Sequence, residues 1–300
     1  MIGDHYGGPV DYARVASRTL RWYQQSARDL PWRHPDATPW AIMVSEFMLQ
    51  QTPVARVVQP WQDWLQRWPT PAALADAPSG AAVRAWGRLG YPRRALRLHQ
   101  AATAIRDDHD GQVPDDYDAL LALPGVGPYT AAAIASFAFG RRHVVLDTNV
   151  RRVQARIATG VEFPATAPTA AERALAADFL PVQPKRAARW AVASMELGAV
   201  VCTARSPRCD QCPVRDDCAW RQVGRPSYVG PPRVGQRYQG TDRQCRGALL
   251  AVLRSSDDAV PAEEVLAAWP DPVQRERALV SLITDRLVVR IGDDHYALPG

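Results

Sequence analysis

Lysine is almost absent from this 300-residue chain. Of its 36 basic residues only Lys185 carries an amine, so chemistry through a lysine Schiff base has a single candidate position. The remaining positive charge is arginine, whose planar fork suits bidentate phosphate contacts, although an arginine and alanine bias also follows from genome composition. The net charge of +5 and isoelectric point of about 9.1 permit a nucleic-acid partner without requiring one. The first twenty residues lack an apolar signal-type segment, and no apolar run reaches membrane-spanning length, which leads us to expect a cytoplasmic protein with no membrane partner. Internal repeats are missing, and no alternating strand pattern interrupts the first 220 residues. Cysteine is scarce too: five in a reducing compartment suggest a metal or cluster rather than a disulfide framework.

What is present reads as helix. Residues 1–9 are glycine-rich and expected to fray; periodicity then predicts helices over 12–28, 40–51, 54–67, 80–89, 93–107 and 116–122, punctuated by proline or glycine. The segment 40–51 is apolar around most of its circumference, as a buried helix is. It carries one carboxylate, Glu46, in VSEFMLQQT. Desolvation among Val44, Phe47, Met48 and Leu49 should raise its pKa and let it act as a general acid, whereas a glutamate paired with a core arginine is the plainer alternative. Gln50 lies one turn on, so the two would form a polar stripe on an apolar helix.

The run Leu123–Val150, LPGVGPYTAAAIASFAFGRRHVVLDTNV, joins a glycine turn, an apolar helix and Asp147. Gly125 and Gly127 bracket Val126, so the backbone can turn with φ > 0 at either glycine and aim N–H donors at a phosphate beside a helix N-terminus. Asp147 is an ordinary N-cap by spacing, yet a capped aspartate kept ionised by N–H donors can also steady a developing cation. Two carboxylates of opposite protonation preference are what glycosidic bond cleavage requires. Finally, Cys202, Cys209, Cys212 and Cys218 are spaced C-x6-C-x2-C-x5-C. One CxxC pair rather than two favours an iron-sulfur cluster over structural zinc without proving it. Arg205, Arg208 and Arg215 in that loop could face a DNA backbone or simply water.

Four motifs in this order, SEFMLQQT, LPGVGPYTA, VLDTNVRRV and the cysteine loop, resemble those of the helix-hairpin-helix DNA glycosylases, and within them the adenine-excising MutY branch, from about residue 17 to 220. The resemblance implies an all-α, two-lobed fold with DNA held across the cleft. A six-helix barrel would span 29–142, and an iron-sulfur domain would combine 9–28 with 143–223 and hold a 4Fe-4S cluster on the four cysteines. It implies that Glu46 protonates N7 of a flipped-out adenine, that Asp147 stabilises the sugar cation, and that Tyr129 and Asn149 complete the catalytic site. Gln51 resembles the wedge that fills the gap left by the flipped base, Tyr91 the aromatic beside the opposing lesion, and Trp32 and Arg33 residues near the adenine pocket. The hairpin Gly125-Val126-Gly127 would hold the DNA backbone.

Tyr129 stands where bifunctional relatives carry the Schiff-base lysine, so the expected enzyme is monofunctional and leaves an abasic site. Its substrate would be double-stranded DNA with adenine opposite 8-oxoguanine or guanine, and it would work as a monomer. A thymine mismatch glycosylase, or a non-catalytic mismatch-binding iron-sulfur protein, are the alternatives. Departures from the family pattern stand at Pro92, Thr148 and Val192, and only about eighty residues follow the cysteine loop, too few for the usual lesion-reading domain. Residues 224–243 read as a linker. Helical patterns at 244–254, 261–268 and 271–285 and a hairpin around Gly292-Asp293-Asp294 then suggest a small winged-helix-like α+β module over 244–300, with Cys245 in its core.

Overall fold

The computed structural model describes residues 10–231 and 238–300. The segment expected to fray, 1–9, and residues 232–237 of the expected linker lie outside them. In chain order the helices are α1 (Tyr12–Ser26), α2 (Pro39–Leu49), α3 (Val58–Arg67), α4 (Pro71–Ala75), α5 (Ser79–Ala85), α6 (Arg93–Asp108), α7 (Tyr117–Ala122) and α8 (Pro128–Phe139). They continue as α9 (Thr148–Gln154), α10 (Ala170–Asp178), α11 (Pro184–Val200), α12 (Ala219–Gln222), α13 (Asp242–Arg254), α14 (Ala262–Ala267) and α15 (Pro272–Thr284). The strands are β1 (Val260–Pro261), β2 (Val289–Ile291) and β3 (His295–Ala297), and they form one antiparallel sheet of order β1-β3-β2. The mostly helical architecture with a small C-terminal sheet is the one expected.

Where boundaries moved, local chemistry moved them. The pattern at 54–67 breaks into a 3-10 turn, Val54–Arg56, and α3. Pro60 lacks an N–H and its ring would clash with the carbonyl of Arg56, four residues back, in a continuous helix. Helix α4 has five residues, too few to show a period, but Thr70 caps it by accepting from the Ala73 N–H at 3.2 Å.

The described residues divide into two compact units. One takes in the described residues of Met1–Arg33, Asp115–Leu121 and Gly127–Pro232. Its core sets Val15 and Ala16 of α1 against Val153, Ile157, Phe179, Trp190 and Leu197. A smaller cluster joins Ala132 and Ala133 of α8 to Val145 and Ala191. Part of the expected linker also belongs to this unit: Trp220 Nε1 donates to the Pro226 carbonyl at 2.9 Å, and the Tyr228 N–H donates to Glu162 at 2.7 Å.

The other unit takes in the described residues of His34–Pro114, Ala122–Val126 and Arg233–Gly300. Helix α2 is its buried centre, capped by Thr38 with Pro39 in the first turn. Trp61 Nε1 donates to the Ala41 carbonyl at 2.8 Å and Trp40 Nε1 to the Trp68 carbonyl at 3.0 Å, so both indoles satisfy their one donor. The C-terminal residues do not stand apart. The Gly80 N–H donates to the Pro299 carbonyl at 2.7 Å, and a Cβ at Gly80 would lie 2.3 Å from that oxygen. Arg254, buried enough to pull its pKa down to about 10, donates to the Val83 and Gly87 carbonyls at 2.9 and 2.6 Å.

Candidate active site

Asp147 caps α9, as its spacing predicts: Oδ1 accepts from the Val150 N–H at 2.6 Å. Its other oxygen accepts from Asn149 Nδ2 at 2.8 Å. Asn149 Oδ1 in turn accepts from Arg152 Nη2 at 2.9 Å, and Arg152 also donates to the carbonyls of Gly198 at 2.7 Å and Cys202 at 2.9 Å. A hydrogen-bonded chain therefore runs from the first cysteine of the loop to the carboxylate. Helix α11 approaches so closely that a Cβ at Gly198 would lie 2.7 Å from Asn149 Cβ, which fixes where the amide can sit. Burial pushes the Asp147 carboxyl above its ordinary range, opposed by the Val150 and Asn149 donors and by Arg152. Desolvation outweighs the donors that favour its ionised form.

Tyr129 lies in the first turn of α8, half-buried against Ala132, Ala133, Val145 and Ala191. In the turn before it, Gly125 has φ +81° and a Cβ there would meet Arg97 Cβ at 2.6 Å, so the position requires glycine. Gly127 has φ −100°, so only one of the two glycines uses the left-handed region. Val126 is buried and its N–H donates to the Leu123 carbonyl at 3.1 Å.

Trp32 and Arg33 form a 3-10 turn, with Trp32 buried. Arg33 and Arg28 both grip Glu196, which is fully buried on α11: Arg28 donates through Nε and Nη2 at 2.7 Å each and Arg33 through Nη2 at 2.9 Å. Burial alone would raise this carboxyl, but the two guanidinium groups hold it down at about 2. Arg33 Nη1 is buried without a hydrogen-bond partner among the described residues.

The four loop cysteines are free thiols lining one recess with Val153, Arg156, Val201 and Trp220. Arg156, wholly buried in the π-helical turn Ala155–Thr159, donates to Cys202 Sγ at 3.3 Å and to the Thr203 carbonyl at 2.8 Å, and stacks over Trp220. Burial pushes the Cys212 thiol up to about 12 and Cys218 upward as well, each raised further by the neighbouring cysteines. Such thiols ionise only with compensating positive charge, which coordinated iron provides. Four cysteines closing on one recess are a donor set that suits an iron-sulfur cluster.

In the other unit, Glu46 is 6% exposed on α2 among Met43, Val44, Phe47 and Met48. The helix ends at Leu49, so Gln50 leaves it as the C-cap and does not extend a polar stripe. Gln51 and Tyr91 follow in two turns and both hold φ > 0, at +53° and +47°. A left-handed backbone at two side-chain-bearing residues is strained and needs support. Arg94 supplies it: Nη1 donates to the Phe47 and Gln50 carbonyls, and Nη2 to Thr52 Oγ1 at 3.1 Å and the Gly90 carbonyl at 2.9 Å. One buried guanidinium thus ties together the turns that present Gln51 and Tyr91. Arg94→Met should lower unfolding free energy by about 3 kcal/mol, since it strands buried carbonyls. Urea melts would measure this, and a loss below about 1 kcal/mol would mean the turns hold themselves.

Sequence reasoning missed Arg94, Arg152, Arg156 and Glu196. Their only signal was charge inside otherwise apolar helical stretches.

The helix-turn-helix at α7 and α8, the capped aspartate and the cysteine recess define a class, the base excision repair proteins of the helix-hairpin-helix superfamily. The family model described as "HhH-GPD superfamily base excision DNA repair protein" matches residues 44–175, and the "Iron-sulfur binding domain of endonuclease III" matches 202–218. The adenine DNA glycosylase of Mycobacterium tuberculosis is 56% identical over 284 residues, 94% of this chain and 92% of that protein. The human adenine DNA glycosylase is 42% identical over 212 residues, 68% of this chain but 38% of the human protein. A solved structure of a thermostable thymine-DNA glycosylase superposes with a TM-score of 0.63 at 26% identity, over 71% of this chain and 97% of its own. The chain belongs to the adenine DNA glycosylases, and its cysteine loop holds a 4Fe-4S cluster. No described helix is long and apolar enough to cross a membrane.

Proposed function

We propose that this protein hydrolyses the N-glycosidic bond of adenine mispaired with 8-oxoguanine or guanine in double-stranded DNA, as a monomer and without cleaving the strand. The observation that carries the reading is Asp147, a desolvated carboxylate with both oxygens accepting hydrogen bonds from a rigid frame. Such a group is poised to steady the positive charge that develops on the sugar as the bond breaks. Glu46, on a helix of the other unit, delivers the proton to N7 of the leaving adenine. Asn149 and Arg152 hold Asp147 in place, and Tyr129 packs against the sugar. Gln51 fills the gap in the stack, Tyr91 lies beside the opposing base, and Trp32 and Arg33 border the base pocket. The backbone around Gly125 and Gly127 holds a phosphate without reading sequence. The cluster on Cys202, Cys209, Cys212 and Cys218 cross-links the loop that anchors Arg152.

Single-turnover assays on A·8-oxoG, A·G, A·C and T·G duplexes test this. Adenine should be released opposite 8-oxoguanine and guanine, with strand breaks only after alkali. Faster release of thymine than adenine would instead favour the activity in the name of the thymine-DNA glycosylase that shares the fold. Binding with no base release would leave a mismatch-binding protein.

A further inference from the structure

Helix α9 runs into the π-helical turn Ala155–Thr159, and beside that turn lies a cavity of about 190 Å³. Such turns are frequent at functional sites. The walls come from α9, the turn, the segment Val161–Ala165 and α10, all within one unit, and neither Asp147 nor Asn149 lines the space. Gln154 does line it. That residue is 3% exposed, and its side-chain amide has no hydrogen-bond partner among the described residues. A buried amide left unpaired is costly and calls for a partner from outside the chain. Val161, on the same cavity, is 45% exposed, so the space runs from the interior to the surface.

The cavity is held by its own frame. Arg151 grips Glu172 through two bonds, Nε to Oε2 at 2.9 Å and Nη2 to Oε1 at 3.1 Å, and donates to the Ala165 carbonyl at 2.7 Å. Glu172 also accepts from the Ala165 and Thr169 N–H groups at 3.1 Å each. Arg156 Nε donates to the Glu162 carbonyl at 3.0 Å, so the segment Val161–Ala165 is fixed near both ends. The ion pair cancels its own charge, and the Thr159 hydroxyl gives its proton to the Ala155 carbonyl at 2.7 Å. Phe163, Pro164 and Leu175 add apolar wall.

We propose that this cavity binds a free nucleobase, at a site separate from the one around Asp147. Size sets the first limit. A cavity of about 150 Å³ takes up benzene, so this one admits a ring system and excludes a nucleotide with its sugar and phosphate. Charge sets the second: with Arg151 and Glu172 paired, an anion gains nothing over a neutral molecule. Hydrogen bonding sets the third. The Gln154 amide offers a donor beside an acceptor and pairs through two bonds with an edge bearing the reverse pair, as adenine does at N6 and N7. Apolar walls suit the flat faces of such a ring. Adenine as the first probe rests on the reading that this enzyme releases it; bases freed by other reactions share the same edge chemistry.

The test is calorimetric titration of adenine, hypoxanthine, uracil and indole into the full chain with its cluster, already bound to a duplex whose non-hydrolysable adenosine fills the catalytic base pocket. At least one base should bind this loaded complex, and Gln154→Leu should weaken it by about tenfold or more, the scale of one lost bidentate pair. In the wild type, the Gln154 side-chain amide resonance should shift when that base is added, a readout independent of how the variant folds. Binding confined to adenine marks the enzyme's own product as the occupant. Binding of hypoxanthine or uracil without adenine marks bases from other reactions, and the site stands. The proposal is overturned if no base binds the loaded complex, or if the Gln154 resonance does not move. It is overturned too if indole, which has a donor and no acceptor, binds as tightly as the bases, for the cavity is then merely apolar. Single-turnover assays judge separately whether adenine is the substrate, and their failure would leave the titrations with the other bases decisive.

Discussion

Replacing Glu46 with glutamine should slow adenine release by about 10²–10⁴-fold, the usual contribution of a general acid. The substitution keeps side-chain length and shape, and an amide cannot hand over a proton. It should leave α2 in place, because the helix is held by groups on every side: Thr38 at its cap, the Trp61 indole on the Ala41 carbonyl, the Arg94 guanidinium on the Phe47 carbonyl. A thermal melt and duplex binding therefore stay near wild type while the single-turnover rate collapses. A variant that releases adenine at the wild-type rate would remove Glu46 from the chemistry.

Which parts of this molecule were legible in its sequence depends on how local the causes are. The Asp147 cap and the Thr38-Pro39 helix start each rest on neighbours within about four residues, and the four cysteines share one short loop, so their signatures survive in one dimension. The supporting arginines do not. Arg94, Arg152 and Arg156 donate mainly to backbone carbonyls that lie 4 to 50 residues away, and a carbonyl acceptor leaves no mark on the sequence. The buried charge of Glu196 was equally silent, because its partners Arg28 and Arg33 precede it by 168 and 163 residues. The tail shows the same limit. Its helices and hairpin were periodic enough to find, whereas the seat of Pro299 against Gly80 follows only from a glycine whose missing Cβ makes room. A glycine inside an otherwise alanine-rich helix, Ser79-Gly80-Ala81-Ala82, was the one available hint.

Asp147→Asn should cost about 10²–10³-fold in the rate of base release, the scale of losing one preorganised electrostatic contact to a developing charge. The frame around the residue makes the loss specific. One oxygen of Asp147 accepts from Val150 and the other from Asn149, while the Asn149 oxygen is engaged by Arg152. An asparagine at 147 must turn its own amide nitrogen toward one of those donors, so it removes the charge and also mismatches a hydrogen bond. Protonation of the wild-type carboxyl meets the same obstacle. Desolvation outweighs that opposition and raises the pKa of the carboxyl. Activity should consequently rise with pH through that elevated pKa, and the residual activity of the asparagine variant should lack this acid limb. Stability should move the opposite way. The folded chain holds the Asp147 proton to higher pH than the unfolded chain does, so ionising it weakens folding across the window from the ordinary aspartate range up to the raised value. The asparagine variant has no such proton to lose, and its Tm relative to wild type should climb with pH over that window. A Tm difference that stays flat, together with an unchanged acid limb, would show that Asp147 titrates like an exposed aspartate and that its frame does not tune it for the cation.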